Sequence, residues 1–243
     1  MGLIEVSNFC KKFGTKQVHR GVSFSVKKGE CLGLVGGSGT GKSVLLRSLI
    51  GLERPDSGKV IFDGKDLSEL KERDFQEVRK RIGYAFQGGA LFDSMTVFDN
   101  LAYPLREHTG FSEAKIKEKI AATLSSFGLS GNENVFPASL SGGMQKRVGL
   151  ARAIILGPEV ILYDEPTAGL DPFNTRKISE MILALKSTGV TSILVTHDMP
   201  IAFNVCDRIA MLVGGVIKAI GTVKEIEAQE GNYIAKFASG EMF

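Results

Sequence analysis

The sequence predicts an α/β fold in which a parallel sheet is covered by helices. Two features carry that reading. Short apolar runs such as Leu32-Gly33-Leu34-Val35, Val160-Ile161-Leu162-Tyr163 and Ser192 to Val195 have the length of strands buried on both faces. Each is followed at once by polar or glycine residues, of the kind the carboxyl edge of a parallel sheet presents, and longer stretches with helical spacing separate the runs.

The composition agrees with one substantial domain. The chain has 243 residues, 43% hydrophobic and 23% charged, which suits a packed globular core and excludes a disordered or fibrous protein. A net charge of +3 gives no case for nucleic-acid binding, and none is expected. No apolar run approaches the ~18 residues of a membrane helix. The first residues carry Glu5, Asn8, Lys11 and Lys12 without an apolar signal region, so a cytosolic location is expected. The three cysteines, Cys10, Cys31 and Cys206, lack CxxC spacing and read as small buried hydrophobes rather than metal ligands or disulfides.

Along the chain, Ile4/Val6 and Val22/Phe24/Val26 alternate with polar positions, as in half-exposed antiparallel strands. Leu32 to Val35 is a buried strand leading through a glycine-rich loop into a helix with Val44, Leu45, Leu46 and Leu49. Val60-Ile61-Phe62 is a strand entering an Asp63-Gly64 turn. From about 87 to 150 the pattern turns helical. Ile116, Ile120, Leu124 and Phe127 form one apolar face behind a Ser112 cap, and Gly128 suits the stop. This stretch is expected to be a helical insertion in an α/β core formed by about 1–86 and 151–243. No internal repeat or low-complexity linker is visible.

Three motifs carry chemistry. Gly36-Gly37-Ser38-Gly39-Thr40-Gly41-Lys42-Ser43 fits GxxxxGK[ST] between a strand and a helix. Glycines there let backbone N–H groups curl around phosphate oxygens, Lys42 can reach the β- and γ-phosphates, and the Ser43 hydroxyl suits Mg²⁺. Val160 to Tyr163 delivers Asp164 and Glu165 at the end of a strand. Asp164 would hold Mg²⁺ and Glu165 would orient or deprotonate an attacking water; alternation along the strand is expected to send them to opposite sides. Leu140-Ser141-Gly142-Gly143-Met144 precedes a helix with Val148, Ala151, Ile154 and Ile155 on its apolar side, which taken alone is an N-cap.

Together, in this order and spacing, the three motifs closely resemble the ATP-binding-cassette (ABC) ATPases over essentially the whole chain. The resemblance implies a P-loop NTPase (RecA-like) core with an antiparallel β subdomain and an inserted α-helical signature subdomain, ATP and Mg²⁺ as cofactors, and ATP hydrolysis. It assigns Phe13 to adenine stacking, where the commoner residue is Tyr, and Gln87 to contact with Mg²⁺ and water. Asp171, in Ala168-Gly169-Leu170-Asp171-Pro172, matches the loop between two active sites, and His197 matches the histidine at the γ-phosphate. A second copy is implied: two chains would pack head to tail and sandwich two ATP molecules. Ser141, Gly142 and Gly143 of one would then face the phosphate held by Lys42 of the other. Gly149 departs from the alanine a helix interior prefers, at a cost of ~1 kcal/mol.

A lone cassette without membrane helices resembles the motor of a bacterial-type transporter with separate permease subunits. The stretch Gly88-Gly89-Ala90-Leu91-Phe92-Asp93-Ser94-Met95-Thr96-Val97-Phe98-Asp99-Asn100 and the following Tyr103-Pro104-Leu105-Arg106-Glu107 look like the Mla-type ATPases, phospholipid transporters that work with MCE-domain proteins in outer-membrane lipid asymmetry. Met144, Lys146, Arg147 and Val148 agree. The blander reading of Leu91, Phe92, Met95, Val97 and Phe98 is subdomain core. The Mla-type resemblance implies a peripheral position on the cytoplasmic face of the inner membrane, a permease dimer, an MCE-domain subunit and room for a small regulatory subunit. The alternatives are the motor of another importer or of a cell-division permease complex, and a soluble ATPase switch. The apolar tail residues Tyr233, Ile234, Phe237 and Phe243 are expected to pack on their own domain or on the other subunit.

Overall fold

The computed structural model describes residues 2–228 and 233–240, so Phe243 lies outside the described residues. The chain runs β1 (Ile4–Phe13), β2 (Lys16–Val26), β3 (Cys31–Val35), α1 (Lys42–Leu49), β4 (Ser57–Phe62), β5 (Lys65–Asp66) and α2 (Phe75–Arg81). It continues with β6 (Ile82–Ala85), α3 (Val97–His108), α4 (Glu113–Ser126), α5 (Gly142–Ile154), β7 (Val160–Asp164) and α6 (Pro172–Ser187). Last come β8 (Thr191–Thr196), α7 (Met199–Val205), β9 (Arg208–Val213), β10 (Val216–Thr222), α8 (Val223–Ala228) and α9 (Tyr233–Ala238). These elements fall into two compact units, residues 1–79 with 183–243, and residues 80–182. This is the α/β P-loop NTPase fold.

The first unit contains two sheets. The antiparallel one has the order β2-β1-β4-β5, with Ile4 opposite Val26 and Val6 opposite Phe24. The alternation read from the sequence is therefore the real pleat: Ile4, Val6, Phe9, Val22, Phe24 and Val26 all point into the core. Asn8, at φ +48, marks a register shift in β1 that no sequence pattern signals. Asp63 and Gly64, at φ +51 and +77, turn β4 into β5 in the two-residue geometry whose twist matches a hairpin. In the second sheet β3 lies parallel between β8 and β9, and β10 returns antiparallel to β9. Every residue of β3 and β8 is buried. A Cβ on Gly33 would sit 2.9 Å from Cys206 Sγ, so any larger residue would have to displace that thiol. Cys31 and Cys206 are buried thiols 3.8 Å apart, whereas Cys10 is half-buried on β1.

In the same unit α9 packs against α8 and β10, with Ile234 inside and Tyr233 half-exposed. The described part of the tail thus packs on its own domain.

The second unit pairs β6 with β7 in parallel and packs α5 against β6. Helix α4 follows its sequence closely. Ser112 Oγ accepts the Lys115 N–H, and Ile116, Ile120, Leu124 and Phe127 are buried. At its end Gly128 adopts φ +62, and the Leu129 and Gly128 N–H groups donate to the carbonyls of Leu124 (2.8 Å) and Ser125 (3.0 Å), which completes a Schellman stop. Helix α5 is buried at Val148, Gly149, Leu150, Ala151 and Ile155, but Ile154 is half-exposed, contrary to the expected apolar face. The close approach of α5 to β6 shifts that face: a Cβ on Gly83 would come within 2.3 Å of the Ala153 carbonyl oxygen. Among the described residues no helix is long and apolar enough to cross a membrane.

Candidate functional site

Each unit gathers its own group of the site residues at the carboxyl ends of its parallel strands. In the first, Val35 pairs with Thr196, so Gly36 and His197 leave adjacent strands at the same edge. In the second, Ala85 pairs with Tyr163, which brings the segment reaching Gln87 alongside Asp164 and Glu165.

The loop from Gly36 to Gly41 is shaped by its glycines. Gly36, at φ +152, lies so close to β9 that a Cβ would be 2.4 Å from the Leu212 carbonyl oxygen. Gly41, at φ +96, would put a Cβ 2.5 Å from Val18 Cγ1 and 2.7 Å from His19 Nε2. No side chain fits at either place. Gly37 and Ser38 lie between, Gly39 turns at φ +73, and the Thr40 hydroxyl donates to the Gly37 carbonyl at 2.9 Å. Lys42 is 5% exposed, and its ammonium donates to the carbonyls of Gly36 (2.8 Å) and Gly37 (3.0 Å). The cation is therefore held over the loop by two backbone oxygens. Ser43 is half-buried in the first turn of α1, where the helix N-terminus adds positive potential. His197 is exposed, and Phe13 ends β1 at 45% exposure with the Lys11 ammonium 5.1 Å from its ring centre.

Beneath the loop lies a residue the sequence reading missed. His19 is fully buried on β2, edge-on to Phe9, and neither ring nitrogen reaches a hydrogen-bond partner. Burial pushes its pKa from 6.5 down to about 4; the Gly41 backbone, close to the ring but outside full hydrogen-bond geometry, opposes this only in part. A lone histidine within a strand pattern gave no sign of this placement.

In the second unit Asp164 is the last residue of β7, buried, and its Oδ2 accepts the Tyr84 hydroxyl at 2.8 Å. Glu165 stands just outside the strand with its backbone at φ +49. Its direction is therefore set by a left-handed residue, which costs a non-glycine residue about 1–3 kcal/mol, and not by strand alternation as the sequence suggested. The turn is closed by the Ala168 N–H donating to the Glu165 carbonyl at 3.2 Å. Gln87 is exposed, two residues beyond β6.

Ser141 caps α5 by accepting the Met144 N–H at 3.3 Å, and Ser141 and Gly142 are exposed. Gly143 is buried, because a Cβ there would lie 2.5 Å from the side-chain amide of Asn174. Asn174 in turn donates to Asp171 Oδ2 at 2.6 Å, while Asp171 Oδ1 accepts its backbone N–H at 3.0 Å. These hydrogen bonds hold the Asp171 carboxyl below the usual carboxylate range. Asn174 thus packs against the start of α5 while hydrogen-bonding Asp171.

The stretch after Gln87 is organised by Asn100, fully buried, whose side chain accepts the Phe92 N–H and donates to the carbonyls of Phe92, Met95 and Thr96. Of Leu91, Phe92, Met95, Val97 and Phe98, only Val97 is fully buried. Phe92 is 44% exposed, edge-on to the equally exposed Tyr103 at 5.5 Å, with the Arg152 guanidinium 5.5 Å from its ring. Phe92 is therefore surface, not core.

A glycine phosphate loop before α1 and a carboxylate pair ending a parallel strand define a nucleotide-binding ATPase of the P-loop class. The chain belongs to the ABC transporter family, which it matches over residues 19–168, and it contains that family's ATP-binding domain. It is 42% identical over 238 residues to a Mycobacterium tuberculosis protein named probable ribonucleotide transport ATP-binding protein mkl, covering 98% of this chain but 66% of that one. It is 38% identical to the Haemophilus influenzae intermembrane phospholipid transport system ATP-binding protein MlaF, covering 98% of this chain and 91% of that one. A solved dimeric ATP-binding cassette, in a post-hydrolysis state bound to ADP and Pi, superposes with a TM-score of 0.84 at 30% identity, covering 90% of this chain and 98% of that one.

Proposed function

We propose that the chain is the ATP-hydrolysing subunit of a phospholipid transporter that works through a separate membrane permease to maintain outer-membrane lipid asymmetry. The similarity to MlaF carries this reading, because it extends over 91% of that protein rather than over the nucleotide loop alone. The aromatic ledge of Phe92 and Tyr103, shaped by Asn100, supports it as a docking surface for the permease dimer. An MCE-domain subunit, a small regulatory subunit and a place on the cytoplasmic face of the inner membrane complete the proposal.

In this reading the glycine loop from Gly36 to Gly41 and Lys42 bind the phosphates, and Phe13 stacks on adenine. The oxygens of Ser43, Gln87 and Asp164 are hydroxyl, amide and carboxylate donors, the hard set that Mg²⁺ takes; bound there, the ion would offset phosphate charge. Glu165 takes the proton of the attacking water, and His197 and Gln87 orient the γ-phosphate and the water. Ser141, Gly142, Gly143 and Asp171 serve the site of a second copy, so that ATP joins two chains and its hydrolysis releases them. The helical segment 87–150 is the part that would transmit this to the permease.

The reading is tested by purifying the tagged protein from its native membranes in mild detergent and identifying co-purifying proteins and lipids by mass spectrometry. A permease with an MCE-domain subunit and bound phospholipid is the expected result. A second reading, the motor of another importer, is favoured by the 42% identity to a protein named for ribonucleotide transport. Recovery with a different permease and no phospholipid would establish it. Recovery only as a soluble homodimer would favour a switch without transport.

A further inference from the structure

Helix α5 does more than present Ser141. Lys146, half-buried on its second turn, donates a hydrogen bond from its ammonium to the carbonyl of Ala168. That carbonyl belongs to the residue whose N–H closes the turn back onto Glu165. Burial lowers the pKa of Lys146 and the negative charge of Glu165 opposes the shift, so carboxylate and ammonium share a local field. Glu165 itself is held at φ +49, a backbone state that persists in a residue with a side chain only where the surroundings over-determine it. The Lys146 bond supplies such a restraint from outside the turn. It comes from the helix whose first turn, at Gly143, also lies against Asn174, the residue that hydrogen-bonds Asp171.

We propose that Lys146 is a positioning residue for ATP hydrolysis: by gripping the turn from Glu165 to Ala168 it holds the Glu165 carboxylate in its working direction. The inference rests on the reading of Glu165 as the group that activates water. Lys146 touches neither nucleotide nor water in this scheme, so its loss should act on turnover and not on binding. A charged group of different shape should recover part of what a neutral stem loses, since arginine can still donate to the Ala168 carbonyl.

The test uses the full chain purified with its co-purifying subunits and compares Lys146→Met, Lys146→Arg and Glu165→Gln in steady-state ATP hydrolysis. Lys146→Met keeps the apolar stem and is expected to lower kcat by about tenfold, the size of one charge-assisted hydrogen bond, with KM for ATP changed less than about twofold. Lys146→Arg is expected to recover at least about a third of the wild-type kcat. The proposal is overturned if Lys146→Met turns over at the wild-type rate. It is equally overturned if the loss appears in KM, or if it follows a lowered melting temperature that Lys146→Arg shares. Should Glu165→Gln hydrolyse ATP normally, the reading of Glu165 fails, and with it the role assigned to Lys146. Loss of turnover in Glu165→Gln with an unaffected Lys146→Met removes Lys146 alone.

Discussion

The backbone of Gly89 occupies the space that a side chain on Gly149 would need: a Cβ on Gly149 would lie 2.6 Å from Gly89 Cα and 2.8 Å from its carbonyl oxygen. The helix that begins after Ser141 and the segment that begins at Gln87 therefore meet backbone to backbone. Any shift of α5 must be felt two residues from Gln87. The glycine that looks like a flaw in helix propensity is a condition of that contact.

Gly149→Ala accordingly separates propensity from packing. Propensity alone would stabilise the variant by ~1 kcal/mol. The clash is with backbone, which cannot swing aside, so a net loss of about 1–3 kcal/mol is expected. Thermal denaturation decides between the two; an unchanged or raised melting temperature would contradict the close approach.

Lys42→Ala removes the cation held by the Gly36 and Gly37 carbonyls. Nucleotide affinity should fall by about ten- to hundredfold, as expected when a charge-assisted contact to phosphate is lost. Calorimetric titration with ATP measures it, and wild-type affinity would remove Lys42 from the phosphate site.

In the proposed dimer Ser141 has two separable tasks. As the cap of α5 it contributes about 1 kcal/mol, which Ser141→Ala loses and Ser141→Asp keeps. As a donor to the phosphate of a second copy, it fails in both variants, and the aspartate adds repulsion. Both are expected to hydrolyse ATP poorly while a single chain binds nucleotide normally; active Ser141→Asp would show that capping is its only task.

His19 makes acid stability a local measurement. Its folded pKa of about 4 lies below the unfolded 6.5, so between these values the unfolded chain binds the extra proton. The neutral ring's advantage is complete above pH 6.5 and is lost as pH falls through the window, bottoming below pH 4 after roughly 3 kcal/mol. Urea midpoints measured against pH should flatten over this range in His19→Leu. An unchanged slope would place the ring in contact with water.

Much of this architecture is legible in the sequence because local physics fixes it. The buried strands β3, β7 and β8, the Asp63-Gly64 hairpin, the Ser112 cap and the Gly128 stop each follow from a short pattern and a backbone requirement. The contacts that organise the site are different in kind. His19 under Gly41, Asn174 against Gly143, Asn100 holding the stretch from Phe92 to Thr96 and Lys146 on Ala168 all depend on elements meeting in space. Nothing in the spacing of those residues announces the meeting. Glu165 shows the limit most plainly: the sequence marks it as a candidate, but its left-handed backbone overrides the strand alternation that predicts its direction.

In the proposed cycle ATP binding joins two chains, and Glu165 drives the hydrolysis that parts them. The decisive experiment measures ATP turnover, bound nucleotide and molecular mass for the wild type and Glu165→Gln side by side in Mg²⁺ and ATP. The expected variant turns over at least about a hundredfold more slowly, as for loss of a general base, and accumulates as a dimer retaining one uncleaved ATP per chain. A variant that hydrolyses ATP at the wild-type rate, or that stays monomeric with ATP bound, would contradict the account.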